Sequence, residues 1–274
     1  MKPEDRELVA QLCAARAGLR VDPDKAYLLE SRLGPVARRE GYASIGDMLQ
    51  TLRTKREERL IWAIVECMVT AETAFFRDAA VFETFSEEVL PTLAKQREGE
   101  PIRIWSAACG AGQEVYSLAM TIEDQKAKLA DARIDLFASD LSARALEKAQ
   151  SGLYTQFEVQ RGLPIRQLVR HFEKNDEMWM PSPRLRQMIR WRRVNIAADI
   201  LGLGKFDAIF CRGALSCLIE PARKRALEQL AAVLADGGYL FLDADDEIAT
   251  VDAIQQVAGR AGLYARNPDF RVAA

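Results

Sequence analysis

Apolar residues recur at helical spacing through the first quarter of the chain. DRELVAQLCAARAGL sets Leu8, Leu12 and Ala15 on one face. DPDKAYLLESRLGPVARREG is a second amphipathic stretch, with Asp22 or Asp24 as the capping residue and Gly41 as the stop. ASIGDMLQTLRTK begins at Ser44 and carries Ile45, Met48, Leu49 and Leu52 together, and REERLIWAIVECMVT is the fourth and most apolar helix. Residues 1–75 are therefore expected to form a helical domain, with residues 76–274 as a second domain.

The texture changes after FFRD at 75–78. DAAVFETFSEEVLPTLAKQ is helical, and the polar REGEP (97–101) leads into IRIWSAACGAGQEVYSLAMTIEDQ: an apolar strand, a small-residue turn and an amphipathic helix. RIDLFASDLSARALEKAQ repeats the plan, with a strand over 134–139. KFDAIFCRG supplies a strand at 206–211; ARKRALEQLAAVLADGG is a helix ending at Gly237 and Gly238, and the strand YLFLD follows. Alternating strands and helices predict an α/β fold with a mostly parallel, doubly wound sheet covered by helices. Residues 176–196, DEMWMPSPRLRQMIRWRRVNI, break this rhythm and are expected to form a small β-hairpin or meander, an inserted β-subdomain at about 175–195.

Composition narrows the function. The chain has 274 residues, 49% hydrophobic and 28% charged, with a formal net charge of -2. That balance does not suit a protein coating nucleic acid, so electrostatic recognition must come from local patches. The five cysteines are scattered without a CxxC pair, as expected of free thiols in a reducing compartment. No apolar run approaches the ~18–20 residues of a membrane span, and the charged MKPEDRELVA start has no apolar signal core. A cytoplasmic protein without membrane insertion is expected. The single histidine, His171, argues against a Ser-His-Asp triad or a His-rich metal site; it is expected to be a structural surface residue.

WSAACGAGQEVYS (105–117) carries the strongest chemical signal. Small residues let the backbone approach a ligand closely, and the helix that follows presents free N–H groups. Gly110 and Gly112 alone would suit a nucleotide, a flavin or merely a tight turn. FASDLS adds Asp140 at the end of the second strand, about 30 residues later, where a carboxylate accepts hydrogen bonds from ribose hydroxyls. Asp140 could instead cap the next helix, a duty Ser142 is placed to perform. Position 115 is Val, so the third glycine of GxGxxG is missing, which tilts the expectation from NAD toward S-adenosylmethionine.

FFRD, IRIWSAACGAGQEVYSLAM, SDLSARALEKAQSGLY, FDAIFCRG and GGYLFL, in this order, resemble the CheR family of chemotaxis-receptor glutamate methyltransferases. DKAYLLESRL resembles the family's helical domain and VTAETAFFRD the segment joining the two domains, so the resemblance covers about residues 5–265. It implies a class I methyltransferase fold and transfer of a methyl group from S-adenosylmethionine to glutamate side chains on the cytoplasmic helices of chemoreceptors, by a monomer. It also implies site residues. Thr73 and Arg77 would lie near the methionyl end of the cofactor, with Arg77 also at the reaction. Glu114 would meet the amino group, Asp140 the ribose, Asn195 and Ile196 the adenine, and Arg212 and Gly213 the region of the methyl group. Arg77 could instead be an ion-pair partner of Asp78 or Glu72.

The chain departs from the family at several of these places. Ala71 and Gly213 stand where the family has asparagines, Cys217 where it has a tyrosine, Gln113 and Val115 where it has glutamate and proline, and Asp243 where it has glycine. These departures leave an alternative, a non-catalytic CheR-like protein that binds the cofactor or its product S-adenosylhomocysteine, or docks on signalling complexes. Cys217 is expected to be an inert pocket thiol. Arg184, Arg186, Arg190, Arg192 and Arg193 form a basic run where the family docks on receptors, and Arg32, Arg38 and Arg39 match its basic helical face. RNA is a rival partner for this run, disfavoured by the acidity elsewhere.

Overall fold

The computed structural model describes residues 1–69, 73–129, 132–246 and 251–267. Four helices come first: α1 (Pro3–Ala17), α2 (Ala26–Arg39), α3 (Ile45–Lys55) and α4 (Glu58–Met68). α1 stops because Gly18 turns left-handed (φ 66°), which returns its N–H to the Ala14 carbonyl and that of Leu19 to the Cys13 carbonyl. Ser44 caps α3 by accepting from the Asp47 N–H. Neither Asp22 nor Asp24 caps α2; Lys25 holds that position without a side-chain bond, and the Asp22 carboxylate accepts from the Asp24 N–H in the preceding turn.

The α/β part opens with α5 (Ala79–Thr84), which runs through a π-helical turn at Phe85–Val89 into α6 (Leu90–Gln96). β1 (Ile102–Ala107), α7 (Gln113–Gln125), β2 (Ile134–Asp140) and α8 (Ala143–Ser151) form two strand–helix units. β3 (Tyr154–Thr155), α9 (Gln156–Gln160), α10 (Ile165–His171), β4 (Phe172–Asn175), β5 (Met178–Pro181), α11 (Pro183–Gln187) and β6 (Ile189–Arg193) follow. The described chain ends with β7 (Phe206–Cys211), α12 (Glu220–Val233), β8 (Leu234–Phe241), β9 (Ile254–Gln256) and β10 (Leu263–Arg266).

These strands build a seven-stranded sheet in the order β6-β2-β1-β7-β8-β10-β9. β6 through β8 pair in parallel, and β10 pairs antiparallel with both β8 and β9. The direction of winding reverses between β1 and β7, which opens a crevice beyond their carboxyl ends. Fully buried Trp105 ties the centre of the sheet together by donating its indole N–H to Ser139 Oγ at 2.9 Å.

The expected hairpin at about 175–195 is corrected. The small sheet, in the order β3-β5-β4, lies mostly upstream, and Ile189–Arg193 is the edge strand of the large sheet, parallel to β2. An edge strand needs only one apolar side: Ile189 is buried, while Arg190, Arg192 and Arg193 are exposed. α12 also stops at Val233, before the expected glycine pair, because Leu234 is already extended and paired with Phe206. His171 is buried rather than at the surface: its Nε2 lies 3.2 Å from the Asp124 carboxylate, which also accepts from Gln167.

Val9, Leu33, Leu49 and Ile64 of the four N-terminal helices belong to the same apolar cluster as Trp105, Ile209, Leu227 and Leu240. The opposite sheet face, with Ile104, Leu136 and Phe210, packs with Phe85, Leu118 and the small sheet's Tyr154 and Phe172. The helical part is thus docked on one sheet face through a shared core. At the seam, the Gly18 carbonyl accepts from the Ile219 N–H at 2.8 Å, Leu19 bridges Leu218, and a Cβ on Gly18 would lie 2.4 Å from Ala222 Cβ. Gly18→Ala is accordingly expected to lower stability by ~2–4 kcal/mol, through the left-handed backbone and overpacking together. Urea unfolding of the variant checks this, and a loss below about 0.5 kcal/mol would show that the seam yields freely.

Candidate functional site

The glycine-rich turn leaves β1 at Ala107 and winds through three left-handed residues, Ala108 (φ 56°), Gly110 (φ 55°) and Gly112 (φ 92°), before α7 begins. Gly112 is required twice over, since a Cβ there would meet Ala149 Cβ at 2.9 Å and the Tyr154 hydroxyl at 3.0 Å. The neighbouring strand pins the turn: Cys109 N–H donates to the Ser139 carbonyl and Gly110 N–H to Asp140 Oδ2, both at 2.8 Å. Asp140 Oδ1 accepts from the Ser142 N–H at 2.8 Å. Ser142, not Asp140, caps α8 by accepting from Ala145 N–H. Asp140 is spared that duty and lines the crevice. Burial pushes its carboxyl above the ordinary range, against the opposing effect of the Ser142, Gly110 and Leu141 N–H groups.

One cleft beyond the strand ends brings together Thr73, Asp140, Asn195, Ile196, Arg212 and Gly213. Leu141, Val194, Ile196 and Leu218 give it an apolar wall, and Ala17 and Leu19 from the end of α1 close one side. Thr73 Oγ1 is hydrogen-bonded to Gln113 Oε1. The Asn195 amide is committed in part to the fold: its Nδ2 donates to the Arg16 carbonyl at 3.1 Å and its Oδ1 accepts from Ala197 N–H at 3.0 Å. Ala71 and Glu72 lie outside the described residues.

Arg212, directly after β7, organises the other end. Its side chain is only 1% exposed. The guanidinium donates to the Arg77 carbonyl at 2.9 Å and to the Asp78 carboxylate, and it lies 3.4 Å from Glu114 Oε2. Its Nε has no hydrogen-bond partner and sits 3.5 Å from Asp243 Oδ1. Glu114 also accepts from Ser106 Oγ at 3.1 Å. Burial raises the Glu114 carboxyl, with Arg212, Ser106 and Arg77 pulling it back. Arg77 pairs with Asp243, beyond β8, and Asp78 pairs instead with Arg212; Glu72, the other local partner considered, lies outside the described residues.

Asp78 and Ala17–Leu19 were not legible as site residues, and Asp243 only as a departure. The available signal was a cation at a buried strand end, which demands carboxylates without saying which ones. The basic run is largely paired within the chain: Arg184 with Glu123, Arg190 with Asp135, and Arg193 with Glu66. Arg32 donates to the Met68 carbonyl at the end of α4 and so braces two helices. Cys217 Sγ sits 3.7 Å from the Gly213 carbonyl at the cleft wall, and all five cysteines are free thiols. Burial pushes Cys13 and Cys67 up to about 12.

Comparison with known proteins matches residues 71–262 to the family described as CheR methyltransferase, SAM binding domain, and residues 4–62 to CheR methyltransferase, all-alpha domain. Chemotaxis protein methyltransferase 1 of Pseudomonas aeruginosa is 35% identical, over 96% of this chain and 97% of that protein. Chemotaxis protein methyltransferase Cher2 of Pseudomonas putida is 33% identical over 84% and 86% of the two chains. Chemotaxis protein methyltransferase 1 of Vibrio cholerae is 33% identical over 91% of each.

The Arg212 cluster makes a stability prediction independent of any ligand. Arg212→Met strands the half-buried Glu114 carboxylate and the Arg77 carbonyl and removes the partner of the exposed Asp78, and is expected to cost ~3–5 kcal/mol. Thermal unfolding of the variant is the check. A melting temperature equal to that of the unaltered protein would show that the buried guanidinium is not needed to hold the segment at 77–78.

Proposed function

The chain belongs to the CheR methyltransferase family, and from that premise we propose that it esterifies glutamate side chains of chemoreceptors with the methyl group of S-adenosylmethionine. The observation that carries the reading is buried Asp140 at the glycine turn, in a cleft with an apolar wall whose other end is Arg212, with the half-buried Glu114 carboxylate against that guanidinium. This donor set fits the cofactor: Asp140 accepts from the ribose hydroxyls, Glu114 takes the methionyl ammonium, and Asn195 and Ile196 flank the adenine. Thr73, Arg212 and Gly213 complete the methionyl side.

When bound, S-adenosylmethionine supplies an electrophilic methyl whose carbon–sulfur bond breaks as the ester carbon–oxygen bond forms, leaving S-adenosylhomocysteine. The protein needs no general base for this, because a glutamate with a reference pKa of about 4.3 is already ionised at neutral pH. Its task is to hold the acceptor in line, and positioning of this kind contributes ~7–11 kcal/mol. Arg77 presents a planar guanidinium suited to a carboxylate. Asp243 supports turnover over the non-catalytic alternative, since it gives Arg77 and the Gly213 N–H a partner at a position where Gly213 has no side chain.

We place the protein in the cytoplasm, acting as a monomer on the cytoplasmic helices of receptors; no described helix is long and apolar enough to cross a membrane. The boundary between helical and methyltransferase parts is put at residue 75, with Arg38 and Arg39 of α2 turned to an acidic receptor surface.

Two results are expected from calorimetric titration with S-adenosylhomocysteine. Asp140→Asn weakens binding by about tenfold to a hundredfold, the worth of one or two charged hydrogen bonds. Affinity also falls on acidification, and the fall begins above the ordinary carboxyl range. The sign follows from the raised Asp140 and Glu114 carboxyls, since only their ionised forms accept these bonds. Unaltered affinity in the variant would remove Asp140 from the site. Absence of base-labile methyl esters on several cognate receptors would refute the activity itself.

A further inference from the structure

Asp243 lies just beyond β8, and its carboxylate accepts from two donors in separate parts of the chain, with a third cationic nitrogen close by. Oδ2 accepts from the Gly213 N–H at 2.6 Å. Oδ1 accepts from Arg77 Nη2 and is 3.5 Å from the otherwise partnerless Arg212 Nε. The Asp243 side chain is 17% exposed and that of Arg77 31%, and the pair lies against Arg212 and Gly213, which line the cleft. Asp243 is itself held, since its N–H donates to Asp246 Oδ2 at 3.2 Å.

Gly213 is matched to this arrangement. It is left-handed (φ 74°), and a Cβ there would lie 3.3 Å from Arg77 Nη1. The missing side chain leaves the space in which Arg77 reaches across to Asp243. A carboxylate gripped by a backbone N–H cannot swing away as a free surface acid would, so it fixes one edge of the Arg77 guanidinium and leaves the rest available. Arg77 stands on a short stretch between two left-handed non-glycine residues, Phe76 (φ 47°) and Asp78 (φ 57°). Its long side chain would otherwise sample many rotamers.

We propose that Asp243 is a positioning residue for methyl transfer, fixing the Arg77 guanidinium against the Gly213 turn so that it meets the acceptor carboxylate in one orientation. This rests on the methyltransferase reading above. Asp243 acts through Arg77 and not on the cofactor, so its loss should be felt in turnover and not in product binding.

The test is Asp243→Asn, which keeps an oxygen for the Gly213 N–H but removes the charge that holds Arg77. Three quantities are read: kcat for receptor methylation, the Kd for S-adenosylhomocysteine, and the NMR signal of the Arg77 side-chain Nε–H, assigned by its loss in Arg77→Lys. Expected are a fall in kcat of at least about tenfold, a Kd within about twofold of the unaltered protein, and collapse of the Arg77 signal toward that of mobile arginines. A kcat within about twofold, or a Kd that weakens in step with kcat, overturns the proposal. Should Asp243→Asn not fold, Asp243→Glu carries the same readouts, because it keeps a negative charge but moves the carboxylate out of register with Arg77 and the Gly213 N–H. If the unaltered protein binds the product yet methylates no receptor, the activity reading fails separately. The Arg77 signal then decides the role of Asp243: persistence in the variant overturns it, and collapse supports it.

Discussion

The guanidinium of Arg212 is a charge taken almost wholly out of water, and such a charge persists only if the chain surrounds it with acceptors. Those acceptors come from three places: the segment at 77–78, Glu114 at the start of α7, and Asp243 beyond β8. Meeting that demand fixes how the segment after the N-terminal helices crosses the sheet. It also compensates the left-handed backbone at Phe76 and Asp78, each costing of order 1–3 kcal/mol. The Phe76 N–H is held in the same sense by Ser117 Oγ at 2.9 Å, within α7.

The cleft divides accordingly. Around the glycine turn, one side is built from strand ends whose N–H groups orient Asp140 in advance. On the far side a lattice of alternating charges, Asp78, Arg212, Glu114, Asp243 and Arg77, provides preset electrostatics without a titrating base. That arrangement suits a reaction in which a positive sulfonium and a negative carboxylate neutralise one another. The machinery has little to move except the methyl group, so geometry carries the catalytic burden.

The strand–turn–helix units, Asp140 at the end of β2 and the capping role of Ser142 were legible in the sequence because each rests on contacts close along the chain. The residues around Arg212 were not, because its partners lie 134 and 98 positions away and no local pattern selects them. The arginine-rich stretch was misplaced for a related reason. Alternating Ile189, Arg190 and Trp191 read equally well as a hairpin arm or as the edge of a large sheet, and only pairing with Leu136–Asp140 decides. His171 was expected outside because it stands among charged residues in VRHFEK; the half-buried Asp124 that draws it in comes from α7.

The seam at Gly18 has a consequence for protein engineering. Because α1 ends in a backbone ladder with the loop at 217–219 and presses Gly18 onto Ala222, the helical part and the sheet are not interchangeable cassettes. A chimaera that grafts the N-terminal helices of one relative onto the α/β part of another must carry the strip from Ser216 to Ala222 with them. Otherwise the wall that Ala17 and Leu19 give the cleft is lost along with the fit. The N-terminal helices and one wall of the cleft are therefore inherited together in this architecture.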